Sequence, residues 1–180
     1  GSACVRFIQG NPFVTPFALS HVRKATRGAV ALRNCQPFVR ELGGAMHVFA
    51  HNGNLDRAAL GRLAAPDGFR PVGETDSEQA FCVLLERLRP LWREAAAAPA
   101  LAARRRVVAD FAVQLRALGP ANFIYADGDA LFAHGHRRTH ADGDIRPPGL
   151  HVLCRTCDAN PSSLDTQGLR IVASHAAGAQ

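Results

Sequence analysis

Lysine is almost missing: Lys24 is the only one among 21 basic residues, so a net charge of +6 and a pI near 9.7 rest on arginine. Aromatic residues make up 7% of the chain, with one Trp and one Tyr, and they do not alternate with the short basic clusters Arg104-Arg105-Arg106 and Arg137-Arg138. Proteins that grip nucleic acid by stacking need that alternation, and pI alone speaks to solubility and non-specific adsorption. No nucleic-acid partner is expected. No apolar run approaches the roughly 18 residues of a membrane span, and no basic segment followed by an apolar one opens the chain, so no membrane partner and no secretion are expected. The five cysteines, Cys4, Cys35, Cys82, Cys154 and Cys157, are an odd set at irregular spacing. A chain of 180 residues can fill one core without staples, so the expectation is free thiols in a reducing cytoplasm.

Metal chemistry lacks its ligands. Cys154-Arg-Thr-Cys157 has half the spacing of a tetrahedral zinc site and no second pair, and His134, His136 and His140 read as a solvated loop. Neither a metal nor another cofactor is expected. The Gly and Pro content is spread along the chain and 47% of residues are hydrophobic, the composition of one globular domain.

Along the chain, 4–8 and 17–22 read as short strands separated by Asn11, Pro12 and Pro16. A long polar connection, 23–44, leads to a buried strand, 46–50, that ends in the turn-forming His51-Asn52-Gly53-Asn54. Thr75 and Glu78 have capping-box spacing, and Phe81, Leu84, Leu85 and Leu88 follow at helical spacing, with Pro90 as the limit. Val108, Phe111, Leu115 and Leu118 mark a second helix, stopped by Gly119-Pro120, with Arg104 to Arg106 near its exposed start. Asp127-Gly128-Asp129 between 122–126 and 130–133 predicts a hairpin, and 150–154 and 169–173 read as further strands. Strands, two helices and strands again predict α+β layers.

Three polar motifs fall where strands give way to loops or a helix begins: 20–28 around Arg23, 50–55 around Asn52-Gly53, and 73–78 around Asp76. Singly, each has an ordinary structural use as a turn, a surface ion pair or a helix cap. Their combination is informative. His21-Val22-Arg23-Lys24-Ala25-Thr26-Arg27-Gly28, Asn34-Cys35-Gln36-Pro37-Phe38-Val39-Arg40-Glu41-Leu42, Phe49-Ala50-His51-Asn52-Gly53 and Arg70-Pro71-Val72-Gly73-Glu74-Thr75-Asp76-Ser77-Glu78 stand in that order. Together they resemble the class II glutamine amidotransferases, N-terminal-nucleophile (Ntn) enzymes that release ammonia from glutamine, and within them the YafJ-like bacterial branch.

The resemblance implies an Ntn-hydrolase-like α+β sandwich of antiparallel sheets flanked by helices. One amidotransferase domain then covers 1–180, incomplete at its N-terminus. It also implies hydrolysis of a γ-glutamyl amide through a Cys thioester, with glutamine or a γ-glutamyl compound as ligand and an ammonia-accepting synthase as a partner. Arg23 would bind the glutamine α-carboxylate, Asp76 its ammonium, and Asn52 and Gly53 would form the oxyanion hole. His51 joins the substrate-binding set, with backbone support as its other reading; His21 flanks the same site. The residue types suit these roles. Arg offers a rigid charged fork for a carboxylate, Asp accepts from an ammonium, the Asn amide donates, and Gly lets a backbone N–H approach closely.

The nucleophile departs from the pattern. Ntn chemistry needs thiol and free amine on one residue, and Cys4 follows Gly-Ser-Ala while Cys35 and Cys82 lie inside the chain. The catalytic Cys is therefore expected upstream of this sequence, and the alternative is a catalytically inactive glutamyl-binding or interaction domain. A first test concerns the clamp: Arg23→Ala should weaken glutamine binding by about 2–5 kcal/mol, the cost of breaking a sequestered charge pair. Calorimetry giving equal affinities for wild type and variant would remove Arg23 from the site.

Overall fold

The computed structural model describes residues 3–11, 18–21, 29–93, 95–150 and 171–173. A five-stranded sheet organises them, in the order β1-β2-β3-β4-β7, with strands β1 (Phe38–Leu42), β2 (Ala45–Gly53), β3 (Ala121–Ala126), β4 (Leu131–His134) and β7 (Ile171–Ala173). Neighbours are antiparallel except β4 and β7, which run parallel. Between β2 and β3 the chain forms three helices: α2 (Arg57–Gly61), α3 (Asp76–Trp92) and α4 (Leu101–Leu118). A two-stranded ribbon, β5 (Arg138–Thr139) with β6 (Ile145–Arg146), lies beyond β4. This is an α+β chain. The expected pair of large facing sheets is not seen among the described residues.

The core lies between α3, α4 and one face of the sheet. Alternation along β2 and β3 points Phe49 and Phe123 to that face, where Phe49 stacks on Phe81 of α3 at 5.3 Å and Phe123 meets Phe111 of α4 edge-on at 5.7 Å. Each aromatic removed from water at this seam contributes roughly 1.5–3 kcal/mol, which is what presses both helices onto the strands. Register fixes the rest: Phe49 pairs with Tyr125, His51 with Phe123 and Asn52 with Asn122.

Several expectations change. Residues 4–8 belong to a helix, α1 (Ala3–Gly10), whose last turn is closed by the Asn11 side-chain amide donating to the Phe7 carbonyl at 2.9 Å. The connection 23–44 conceals β1. Gly43 and Gly44 both take positive φ, 61° and 79°, the backbone that a two-residue hairpin requires, and a side chain at 43 would collide with Trp92. His51, Asn52 and Gly53 continue β2 as strand and do not form a turn. Helix α3 runs through Pro90 to Trp92, because Trp92 is 3% exposed and packs edge-on against His47, 4.8 Å away. His134 is the buried end of β4, not part of a solvated loop. The segment 17–22 has no regular structure at 18–21 and otherwise lies outside the described residues, as do 151–154, 169–170 and the Cys154/Cys157 pair. Helix α4 and the β3–β4 hairpin stand as expected.

Arg104 is also corrected. It is 2% exposed, and its guanidinium bonds Asp127 at 2.8 Å and Asp129 at 2.5 Å, tying the first turns of α4 to the β3–β4 turn. Asp127 in turn accepts from the backbone N–H groups of Asp129 and Ala130. Arg104→Ala would leave a buried carboxylate without its cation, so unfolding in urea should show a loss of about 3–5 kcal/mol. A loss below about 1 kcal/mol, the worth of an exposed pair, would show that water compensates Asp127.

Candidate active site

Thr75 caps α3, its hydroxyl accepting from the Glu78 N–H at 3.2 Å, so Asp76 becomes the first residue of the helix. There its negative charge opposes the positive helix end. Asp76 Oδ2 accepts the Leu55 N–H at 2.8 Å, which fastens the segment after Asn52-Gly53 to the start of α3. Among the described residues Asp76 Oδ1 has no hydrogen bond. Two of the expected motifs therefore meet. Arg23 lies outside the described residues.

His51 stands at the junction. It is 2% exposed, with Nδ1 3.0 Å from the Ser77 hydroxyl and Nε2 3.4 Å from the Pro120 carbonyl, and its backbone N–H donates to Gln36 Oε1 at 2.6 Å. Both ring nitrogens are thus directed at protein groups, an arrangement that suits support of the strand end. Asn52 points to the other face of β2, exposed, and its carboxamide has no hydrogen bond among the described residues. Gly53 is packed against the next strand: a Cβ there would come within 1.8 Å of the Pro120 carbonyl oxygen and 2.6 Å of His51 Nε2. A missing side chain is therefore required at 53 for strand pairing, apart from any role toward a ligand.

Around this centre the structure gives further residues roles that the sequence did not assign them. Glu78 is 1% exposed and accepts the Val72 N–H at 3.0 Å, the Gly73 N–H at 2.7 Å and a guanidinium hydrogen bond from Arg40 of β1. Asn34 is fully buried, accepting from the Glu74 N–H at 2.9 Å and donating to the Ala29 carbonyl at 3.0 Å. Gln36, Ser77 and Asn34 sit inside motifs legible in the sequence, but nothing in spacing says which atom each would hold. Asn122 had no signal beyond its strand.

With this geometry goes a family. The family model for class II glutamine amidotransferases matches residues 1–174, and the chain belongs to that family. It is similar to YafJ of Escherichia coli (strain K12), at 39% identity over 153 residues that make up 84% of this chain and 58% of YafJ. A Haemophilus influenzae relative is 37% identical over 123 residues, 68% of this chain and 40% of its own length. The chain thus spans about half the length of the curated relatives it matches. Among solved structures, a predicted glutamine amidotransferase from Pseudomonas aeruginosa PA01 is 36% identical, with a TM-score of 0.49 over 62% of this chain and 47% of that one.

The site and its scaffold hold three histidines that burial keeps neutral. Desolvation lowers His51 against the opposing pull of the Asp76 carboxylate, and lowers His47 against that of Asp127. His134 is pushed down to about 4 by desolvation, helped by the Arg116 and His136 charges. Each has an ordinary value of 6.5 when unfolded, so below pH 6.5 the unfolded chain takes up protons that the native chain refuses. Their stabilisation is complete above pH 6.5 and is lost as pH falls from there, for His134 until about 4, with a limiting slope of about 1.4 kcal/mol per pH unit for each histidine. The urea midpoint should therefore drop between pH 7.5 and 5, and His134→Leu should shallow the drop. Identical midpoints at the two pH values would mean that these rings are protonated in the native state.

Proposed function

We propose that this chain forms the glutamyl-binding and oxyanion part of an Ntn-type amidohydrolase acting on glutamine or another γ-glutamyl amide. The observation that carries the reading is the Asp76–Leu55 hydrogen bond. It fastens an aspartate, one of whose oxygens has no hydrogen bond among the described residues, to the segment that follows Asn52 and Gly53. An ammonium acceptor and an oxyanion donor then belong to one rigid unit, and Arg23 would take the α-carboxylate on the other side of the amino-acid head group.

The chemistry follows from those groups. A Cys thiolate at the first position of the processed chain, having given its proton to its own α-amine, adds to the γ-carbonyl. The Asn52 amide and the Gly53 N–H donate to the developing oxyanion, a contribution of about 3–4 kcal/mol per donor in such sites. The C–N bond breaks, ammonia or an amine leaves with the proton from the α-amine, and water hydrolyses the thioester. The Ntn sandwich and the ammonia-accepting synthase belong to the same reading.

A second reading, a glutamyl-binding domain without turnover, draws support from the described thiols. Burial pushes Cys82 up to about 11, away from a thiolate nucleophile, and the exposed Cys35 donates its thiol to the Ala31 carbonyl. One experiment separates the two. The protein extended by its native N-terminal segment and processed to begin with Cys should release ammonia from glutamine or an amine from a γ-glutamyl amide. Adding one residue before that Cys should abolish release, and Asn52→Ala should lower kcat roughly 100-fold or more while leaving glutamate binding intact. Release from the 180-residue chain that survives Cys4→Ala would require a different mechanism. An extended protein silent on every γ-glutamyl amide would establish the binding domain.

A further inference from the structure

Asn52 and Asn122 are register partners on β2 and β3, and they share the sheet face turned away from Phe49, Phe123 and the helices. Their side chains are used in opposite ways. The Asn52 carboxamide is exposed and has no hydrogen bond among the described residues. Asn122 is half-buried and fully engaged. Its Nδ2 donates to the Asn52 carbonyl at 2.9 Å and to the Arg137 carbonyl at 3.0 Å, and its Oδ1 accepts from the His136 N–H at 2.8 Å. One amide thus ties the main chain of Asn52 to the segment 135–137 as it leaves β4.

No other side chain offers that set. Two donors and an acceptor in one plane, one methylene from the backbone, are the property of Asn. Asp keeps the shape and the acceptor but loses both donors, and Ser keeps a single hydroxyl hydrogen. Gln carries the same groups one methylene further out, beyond the Asn52 carbonyl that Asn122 reaches across the ladder.

We propose that Asn122 is a positioning residue of the oxyanion site, which fixes the backbone of Asn52 by tying it to the segment 135–137. The proposal rests on the amidohydrolase reading above. Asn122 touches no reacting atom: it acts through Asn52, so that the exposed Asn52 carboxamide meets the oxyanion without first having to be ordered. Misplacement of a reacting group by about 1 Å costs on the order of 100-fold in rate, which bounds what loss of a single tether can cost.

The test uses the Cys-first extended protein with glutamine as substrate. Asn122→Asp and Asn122→Ala should each lower kcat by about 10- to 100-fold while KM for glutamine and calorimetric glutamate binding stay within about twofold. Because the residue acts through Asn52, the double variant Asn52→Ala/Asn122→Ala should be no slower than Asn52→Ala alone. A merely structural asparagine would lower kcat and glutamate binding together, and its effect would multiply with that of Asn52→Ala. Either outcome overturns the proposal, as do Asn122 variants that keep the wild-type kcat. Where the alanine variant does not fold, Asn122→Ser and the isosteric Asn122→Asp carry the same comparison. A wild-type protein that releases nothing from any γ-glutamyl amide brings down the reaction and this role with it. An active wild type with unaffected Asn122 variants brings down this role alone.

Discussion

A carboxylate with almost no contact with water organises this end of the molecule. Glu78, one turn into α3, accepts hydrogen bonds from the Val72 and Gly73 N–H groups and from Arg40 of β1. Left unpaired at that depth the charge would cost several kcal/mol, so the loop and the strand must come to it. Their approach sets where α3 begins, and hence where Asp76 stands relative to the end of β2. The capping-box spacing of Thr75 and Glu78 accounts for half of this arrangement. Thr75 caps as expected, whereas the Glu78 carboxylate holds the preceding loop and β1. Asn34 adds a second clasp on the same loop through Glu74, and a side chain at Gly73 would strike both Asn34 and Glu78.

Rigidity in the aromatic seam and openness at the strand end are complementary. Phe49 is anchored two residues before His51 and four before Gly53. The close approach of Gly53 to Pro120, with His51 wedged between Ser77 and the Pro120 carbonyl, carries that rigidity to the last residues of β2. Along a strand, alternate residues face opposite ways. The same backbone therefore buries His51 toward the helices while presenting Asn52 to the other face. A polar group displayed on a rigid strand needs less ordering at the moment of use than one on a loop, which is the requirement of an oxyanion donor.

Legibility in the sequence followed the range of the interactions. Helix α4 and the β3–β4 hairpin are set by local periodicity and by Asp127-Gly128-Asp129, and they were readable. Strand β1 was not, because Pro37 and the two glycines at 43–44 resemble loop punctuation until the hairpin they close is seen. Arg104 looked like surface charge since its partners, Asp127 and Asp129, are more than twenty positions away and come near only when α4 packs on the sheet. Pro90 looked like a stop because proline removes one helical hydrogen bond, a local cost that the burial of Trp92 outweighs. For the site, motif order pointed to Asn52, Gly53 and Asp76, and the structure brings the last together with the segment following the first two. The contacts around them, Gln36 and Ser77 on His51, the Glu78 carboxylate on the loop before α3 and Asn122 on the Asn52 carbonyl, are tertiary facts.

The arginine surplus takes on a different meaning in three dimensions. Arg104 spans two aspartates, Arg40 reaches the buried Glu78, and Arg33 pairs with Glu74 at 2.7 Å beside the same loop. A planar guanidinium can bond two acceptors at fixed angles and is easier to strip of water than an ammonium, so these positions favour arginine over lysine on physical grounds, whatever the coding bias. Charge spent in this way is not available to a polyanion. Two of these contacts instead stiffen the loop that leads into Asp76, and the third fixes the hairpin whose first strand carries Asn122. Most of the described arginines lie at the surface, but Arg104, Arg40 and Arg33 are committed to acidic partners that hold the elements around Asp76 and Asn122 in shape.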